Sequence, residues 1–461
     1  MKSLFSVTFN WNLFAGIAFL IIVLFPGLSW FSYFALLITL HQFFLLFYSF
    51  GYIIPIRYLF GAFMCLQMLL GPLMAYNGLD SFQRSNNQMQ IPEAEYFSYV
   101  IPAVVCFILS LHVSSKRLMG EFIDMDIIKS YTERKKELPY ILIAIGFVAS
   151  LMSEFISSEL AFVFYLLGSF KYVGAFMLIY GNVTLKVIPL IVVYGSIIFS
   201  SLGDGMFHDL LTWLIFLGAA LAIKFKPKVY VKFFFVLAFI LLSVAIQMLK
   251  GDYRKATWER GEESGINTLS KAYEQSQSDN MFFSSLSLAQ SNLRINQGYI
   301  ITHIMKTVPK KIPYQEGTEL NDIIVAAIFP RFLVPDKLSA GDRDIFMKYT
   351  GMPLRKGTSM ALSSVGDAYI NFGIIGGCLF MFLLGLLYSE VLNVFFKLSK
   401  TFPMLILFIP MVYYYPIRPD CELQTTLGHL VKSCMLIFVV FIVWKSTFRF
   451  RAINFFNKSP V

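Results

Sequence analysis

Apolar blocks about 20 residues long recur along this chain, and that recurrence limits its fold more than any other feature. Such a block crosses a roughly 30 Å hydrocarbon layer at about 1.5 Å of helical rise per residue. Twelve segments of this kind are read at 11–29, 31–51, 56–77, 97–114, 139–156, 159–180, 184–201, 207–224, 230–249, 372–396, 402–416 and 428–446. Hydrophobic residues make up 57% of the chain and charged residues 14%, against about 25% charged in soluble domains. Water cannot be the main solvent of such a chain. The expected fold class is an all-α polytopic membrane protein of about 12 transmembrane helices. The first block runs on without a clear small-residue cleavage site and reads as an uncleaved span.

The basic residues set the expected sidedness. Lys116, Arg117, Lys129, Arg134, Lys135 and Lys136 fall in 115–138, Lys224, Lys226, Lys228 and Lys232 in 224–232, and Lys445, Arg449, Arg451 and Lys458 in the tail. With twelve spans all three groups share one side, which the positive-inside rule makes cytoplasmic. Both termini are then cytoplasmic. The expected organisation is nine spans over 1–249, a large extracytoplasmic loop over 250–371, three spans over 372–446 and a basic tail over 447–461. The net charge of +10 therefore belongs to membrane topology. No basic, aromatic-interleaved module points to nucleic acid.

The chain offers no metal or redox framework. Cys65, Cys106, Cys378 and Cys434 lie in apolar segments and Cys421 in a loop, without disulfide or ligand spacing. Asp124 and Asp126 make an Asp-x-Asp pattern on the cytoplasmic side. Neither a Walker loop nor a dinucleotide fingerprint occurs. No cofactor is expected.

The long loop carries the most chemistry. Its first part, 250–280, is hydrophilic and reads as an exposed arm. Apolar spacing predicts one helix over 281–308, ended by Pro309 and Pro313, and a short helix over 318–329, stopped by Pro330. Arg294, Arg331, Lys337, Arg343, Arg355 and Lys356 sit among Pro, Gly, Ser and Thr close to the expected membrane surface. Arginine presents a planar fork of donors suited to phosphate, and lysine a point charge. The cluster suits a lipid-linked phosphate or diphosphate, or equally anionic lipid headgroups. On one continuous helix His303 falls opposite Arg294, whereas Gly298 shares its face. Gly298 then either leaves room beside the guanidinium or marks close helix packing.

Further charges lie at or inside the membrane. Lys171, central in the sixth span, needs a bundle interior, a wet cavity or an anion. It is a structural ion-pair member or a phosphate contact. His208 and Asp209 open the eighth span, as a proton relay or as interface markers. Arg418, Asp420 and Glu422 occupy the short outer turn 417–427, near the long loop.

These residues resemble a known family. The run IFPRFLVPDK, then GTSMALSSVGDAYINFGIIGG leading into a span, with VPKKIPYQEG and the Arg294 helix upstream, is similar to the outer loop of Wzy-type polymerases of bacterial surface polysaccharides. The local likeness covers about residues 290–390. It implies a membrane-embedded glycosyltransferase of GT-C-like architecture in the bacterial inner membrane. Its donor and acceptor would both be undecaprenyl-diphosphate-linked oligosaccharides, and it would work without a metal, beside a chain-length regulator protein. On that reading Asp367 is the expected base, with Arg294 and Arg331 stabilising the leaving diphosphate. Lys337, Arg343, Arg355, Lys356, Tyr369, Arg418, Glu422 and Lys171 are the expected binding residues. Asp367 has a structural alternative, pairing with a nearby base. Two other functions fit the same layout: an O-antigen ligase, using nearly the same chemistry, and a lipid-linked oligosaccharide flippase.

Overall fold

The computed structural model describes residues 10–113, 125–153, 155–156, 158–181, 186–254, 256–257, 264–278, 284–329, 333–334, 336–338, 341–355 and 358–448. Among these residues the secondary structure is helical, with no strand. In chain order the α-helices are α1 (Trp11–Leu24), α2 (Trp30–Ser49), α3 (Ile56–Cys65), α4 (Gly71–Tyr76), α5 (Glu93–Val113), α6 (Met125–Arg134), α7 (Leu138–Met152), α8 (Ser158–Gly168), α9 (Phe170–Tyr180), α10 (Val187–Asp204) and α11 (His208–Phe225). There follow α12 (Val229–Arg254), α13 (Ile266–Ser278), α14 (Ser285–Ile295), α15 (Gly298–Thr307), α16 (Thr318–Ile328), α17 (Arg343–Thr350), α18 (Ser363–Ser399), α19 (Ile409–Val412), α20 (Leu423–Val443) and α21 (Lys445–Phe448).

Nine helices among the described residues are long and apolar enough to cross a membrane: Trp30–Ser49, Ile56–Tyr76, Glu93–Val113, Leu160–Tyr180, Val187–Asp204, His208–Phe225, Val229–Gly251, Ser363–Ser399 and Leu423–Val443. Three shorter apolar helices, Trp11–Leu24, Leu138–Met152 and Pro403–Val412, coincide with the first, fifth and eleventh expected segments. The chain is a helical, multi-pass membrane protein.

Hydrogen bonds sort the connections to two ends of the bundle. At one end Lys224 bonds the Ile179 carbonyl, Lys232 the Phe50 carbonyl and Tyr131 the Thr447 carbonyl. Arg57 is buried there and ties three helices, donating to the Leu111 carbonyl, Ser389 Oγ and Asn393 Oδ1. At the other end the 80–92 connection meets α15: the Gln90 N–H donates to Thr302 Oγ1 at 3.1 Å and Lys306 Nζ to Gln90 Oε1 at 2.9 Å. The basic connections at 125–137 and 224–232 thus share one end, and the long loop lies at the other.

The centre of the bundle is the pairing of α5 with α18. Lipid tails are as apolar as leucine, so helices associate here by close packing and interhelical bonds. A β-carbon on Gly385 would lie 2.6 Å from the Phe107 carbonyl oxygen, so the backbones approach only without one. Tyr99 adds a bond from its hydroxyl to the Val365 carbonyl at 2.7 Å.

Two interruptions shape the end that carries the long loop. The 37 residues of α18 would run about 55 Å if straight, well beyond a 30 Å layer. The helix bends at Gly373, whose φ is +64° and ψ −153°. The N–H groups of Gln315 and Glu316 donate to the Ile370 and Asn371 carbonyls, both at 3.0 Å, satisfying acceptors at the bend. Segment 363–372 is thereby held under the loop. Gly373→Ala is expected to cost at least about 1–3 kcal/mol, because this backbone region is essentially glycine-only. A β-carbon would also sit 2.9 Å from the Tyr314 ring. Thermal unfolding of the detergent-solubilised chain checks it.

The second interruption is the π-turn Leu66–Leu70. It diverts the Gly71 N–H to the Leu66 carbonyl. The Gln67 carbonyl so released accepts the Gln297 N–H at 3.1 Å, and Asn292 Nδ2 donates to the Gly71 carbonyl at 3.0 Å. These bonds capture the chain at 296–297, between α14 and α15. The helix expected over 281–308 is accordingly two helices. Periodicity alone does not reveal the break, because its cause lies more than 200 residues away in sequence. The arm expected over 250–280 likewise contains a helix, α13. The short helix expected over 318–329 is present as α16.

Candidate functional site

Two patches of opposite charge adjoin at the long-loop end of the bundle, on either side of the turn 413–422. The first is a basic corner. Lys250 and Arg254 lie on the last turns of α12, and Arg294 on the last turn of α14. A β-carbon on Gly251 would lie 3.1 Å from Arg294 Nη2. Lys250 is within electrostatic reach of Arg254, Arg294, Arg418 and Asp420. Burial, then the like charge of Arg294, lowers the Arg254 guanidinium from its usual value, yet arginine stays cationic at neutral pH.

Arg418 anchors the corner. Its side chain is 11% exposed, with Nη2 3.2 Å from Asp420 Oδ2 and Nη1 3.8 Å from Asp209 Oδ1. The guanidinium also lies 5.2 Å from the Tyr415 ring centroid. His208 Nε2 approaches Asp209 Oδ1 at 2.6 Å. The expected His208–Asp209 pair therefore exists, and Arg418 joins it. Burial alone would raise the Asp420 carboxyl, but Arg418 outweighs it and holds that carboxyl below the usual range.

The second patch is an acidic cleft of about 30 Å³, room for about one water or hydroxyl group. Glu319, Asp342, Asp367 and Glu422 line it, with Phe346 and Tyr349. Asp367 is buried, 6% exposed, and its Oδ2 accepts the Leu423 N–H at 3.1 Å. It thus caps α20, whose N-terminal dipole favours a negative charge there. Glu422 Oε1 accepts from the Gly341 N–H at 2.7 Å and the Thr425 hydroxyl at 2.9 Å. Burial pushes the Glu422 carboxyl up despite those two bonds. Glu319 accepts from Lys348 Nζ at 2.8 Å and from the Tyr349 hydroxyl. Carboxylates so placed can hold and take a proton from a hydroxyl, while the corner can hold an anion.

The expected residues separate accordingly. Asp367 and Glu422 meet in the cleft, and Arg294 and Arg418 both lie within electrostatic reach of Lys250. Lys337 is engaged elsewhere: its Nζ donates to the Ala326 carbonyl at 2.8 Å and to that of Phe329, at the C-terminus of α16. Arg343 extends to Asp344 at 3.4 Å, and Arg355 is exposed. Tyr369 is buried against the rings of Tyr99 and Tyr314, at centroid distances of 4.9 and 5.8 Å. Lys171 sits where the sixth apolar segment breaks between α8 and α9. Its Nζ is 3.4 Å from Ser150 Oγ and 5.2 and 5.4 Å from the ring centroids of Phe147 and Tyr172. His303 bonds the Asn86 carbonyl at 3.0 Å, so the break between α14 and α15 does not turn it to Arg294. Gly298 serves close packing, since a β-carbon there would lie 2.3 Å from Pro72 and from the Tyr96 hydroxyl. Arg331 and Lys356 lie outside the described residues.

Four members of these patches escaped the sequence reading. Lys250 and Arg254 carry a detectable signal, two cations an i,i+4 step apart on one helix face. That pair lies just past 249, the expected end of the ninth span. Glu319 and Asp342 carry none, because long loop segments bring them to Asp367.

No curated protein matches this chain, and no solved structure does. A family profile matches residues 29–403, most of the chain and both of its central interruptions. The chain belongs to the family defined by the domain of unknown function DUF8712.

Proposed function

We propose that this protein is a membrane-embedded glycosyltransferase that joins undecaprenyl-diphosphate-linked oligosaccharide units on the outer face of a bacterial cytoplasmic membrane. One observation carries the reading: the basic corner and the acidic cleft adjoin at one end of the bundle, on the turn 413–422. Breaking a sugar–diphosphate bond puts negative charge on the leaving phosphate. Preorganised cations aimed at that charge lower the barrier most, and Arg294, Lys250 and Arg418 supply them. The acceptor hydroxyl needs a proton acceptor, and Asp367 in the cleft is suited to that role. The resemblance of 290–390 to Wzy-type polymerases points to the same chemistry. On this reading the three shorter apolar helices also cross, giving twelve spans, both termini inside and a GT-C-like architecture. A chain-length regulator is the expected protein partner.

The test is reconstitution of the purified chain with lipid-linked repeat units and no ion gradient. Longer lipid-linked glycans are expected. Transfer only to a different acceptor would replace polymerase by ligase. Movement of units across the bilayer without transfer would replace it by flippase.

Removing Arg294 is expected to lower the transfer rate by about 10²–10³-fold, the usual loss for one donor to developing charge. Arg294→Lys should restore little if two parallel bonds to phosphate matter. Glycan length in cells carrying each variant reads the result, with membrane insertion as the control. Wild-type length in both variants would remove Arg294 from the site.

A further inference from the structure

The helix α12 is fastened at its two ends and bare between them. At its foot Lys232 Nζ donates to the Phe50 carbonyl at 2.5 Å and lies 5.1 Å from the Tyr52 ring centroid. At its head the Tyr253 hydroxyl donates to the Leu202 carbonyl at 2.7 Å, and Arg254 Nε to the Gly205 carbonyl at 2.8 Å. The rings of Tyr253 and Phe207 meet there at 5.9 Å. Between these fastenings, none of its most apolar stretch is buried. Phe234, Phe235, Leu237, Ile240, Leu241 and Leu242 are all exposed. Among the described residues α13 and α14, both in the long loop, pack most closely on α12.

Exposure alone decides nothing, because a lipid-facing helix has no need of burial. The charge at its outer end does decide. There, at the end of an apolar stretch long enough to cross a hydrocarbon layer, Lys250, Arg254 and Arg294 gather. A lipid whose phosphate rests on that corner must send its chain inward along α12, since the bilayer interior lies in that direction. Each basic residue near a membrane surface contributes about 1 kcal/mol to attracting an anionic headgroup.

We infer that α12 and the corner formed by Lys250, Arg254 and Arg294 are a lateral docking site for one polyprenyl-phosphate lipid, phosphate on the corner and hydrocarbon along 234–242. The site rests on the proposed function in one respect, that the docked lipid is the carrier of the glycan. It goes beyond that function in having the carrier arrive sideways from the bilayer, with α12 as the guide.

The test uses the full chain in phosphatidylcholine nanodiscs holding undecaprenyl phosphate as a minor component. A photoreactive Phe235→benzoylphenylalanine variant is irradiated, and the captured lipid is weighed by mass spectrometry. Undecaprenyl phosphate is expected to exceed its share of the bilayer by at least about fivefold, the factor one basic residue supplies. The excess should vanish in a Lys250→Gln, Arg254→Gln, Arg294→Gln background. The same probe at Phe19, an exposed position on α1, should report bulk composition. Capture that mirrors the bilayer at both positions overturns the site, as does an excess that survives the loss of all three corner charges. Capture of a second copy of the chain, or equal excess of phosphatidylglycerol, overturns the chosen occupant. The two readings fail separately: enriched capture without glycan transfer defeats the function alone, and transfer with bulk capture defeats the docking site alone.

Discussion

Asp367→Asn is expected to lower glycosyl transfer by about 10²–10⁴-fold, the range lost with a general base, while the fold survives. Asparagine fills the same volume and keeps an oxygen for the Leu423 N–H, now at 3.1 Å, so the start of α20 stays capped. What it loses is the ability to take a proton. The cleft offers Glu319, Asp342 and Glu422 as neighbours, but Glu319 is bonded to Lys348 and Tyr349 and Glu422 to Gly341 and Thr425. Neither can replace Asp367 without breaking those bonds. The measurement is single-turnover transfer by the purified chain, paired with its melting temperature. A normal rate would move the base elsewhere. A fall in rate that tracks a fall in melting temperature would make Asp367 a structural cap.

Arg418→Ala is expected to destabilise the chain by about 3 kcal/mol. Deleting one partner of a buried ion pair leaves the other charges uncompensated, at about 3–5 kcal/mol. The lower end applies because Asp209 and Asp420 keep 37% and 31% of their side chains exposed, where water screens them. The effect has a pH signature. Arg418 holds the Asp420 carboxyl below its usual range, so the unfolded chain binds that proton more readily than the native one. The pair's contribution is then full at neutral pH and is lost as pH falls through the acid range. The gap in stability between wild type and variant should narrow on acidification. A gap independent of pH would assign the loss to packing against Tyr415 instead.

The two variants probe opposite sides of one turn, and that turn explains the division between sequence and fold. Arg418 and Glu422 are four residues apart, yet the chain presents one to the basic corner and the other to the acidic cleft. In sequence they read as one outer cluster with the loop arginines. The structure parts them: Glu422 bonds Gly341 beside Asp367 at the start of α20, whereas Arg418 turns to Asp209 and Asp420. Lys337 shows the same limit. Its charge suits phosphate, but the unsatisfied carbonyls at the end of α16 lie within reach and hold it.

The sequence by itself determined that the chain is helical and crosses a membrane, and which connections share an end of the bundle. Those properties rest on block length and on the cost of burying charge in hydrocarbon, both of which act locally along the chain. It also marked Arg294, Arg418, Asp367 and Glu422 as residues of interest, because charges near a membrane surface are few. Only the tertiary structure decided that they form two patches. The split of 281–308 and the bend at Gly373 depend on backbone groups satisfied by partners far away in sequence, and Lys250 comes near Arg294 only because α14 packs on α12. Hydrogen-bond demand inside a lipid-facing bundle fixes those partners, and no local pattern encodes them.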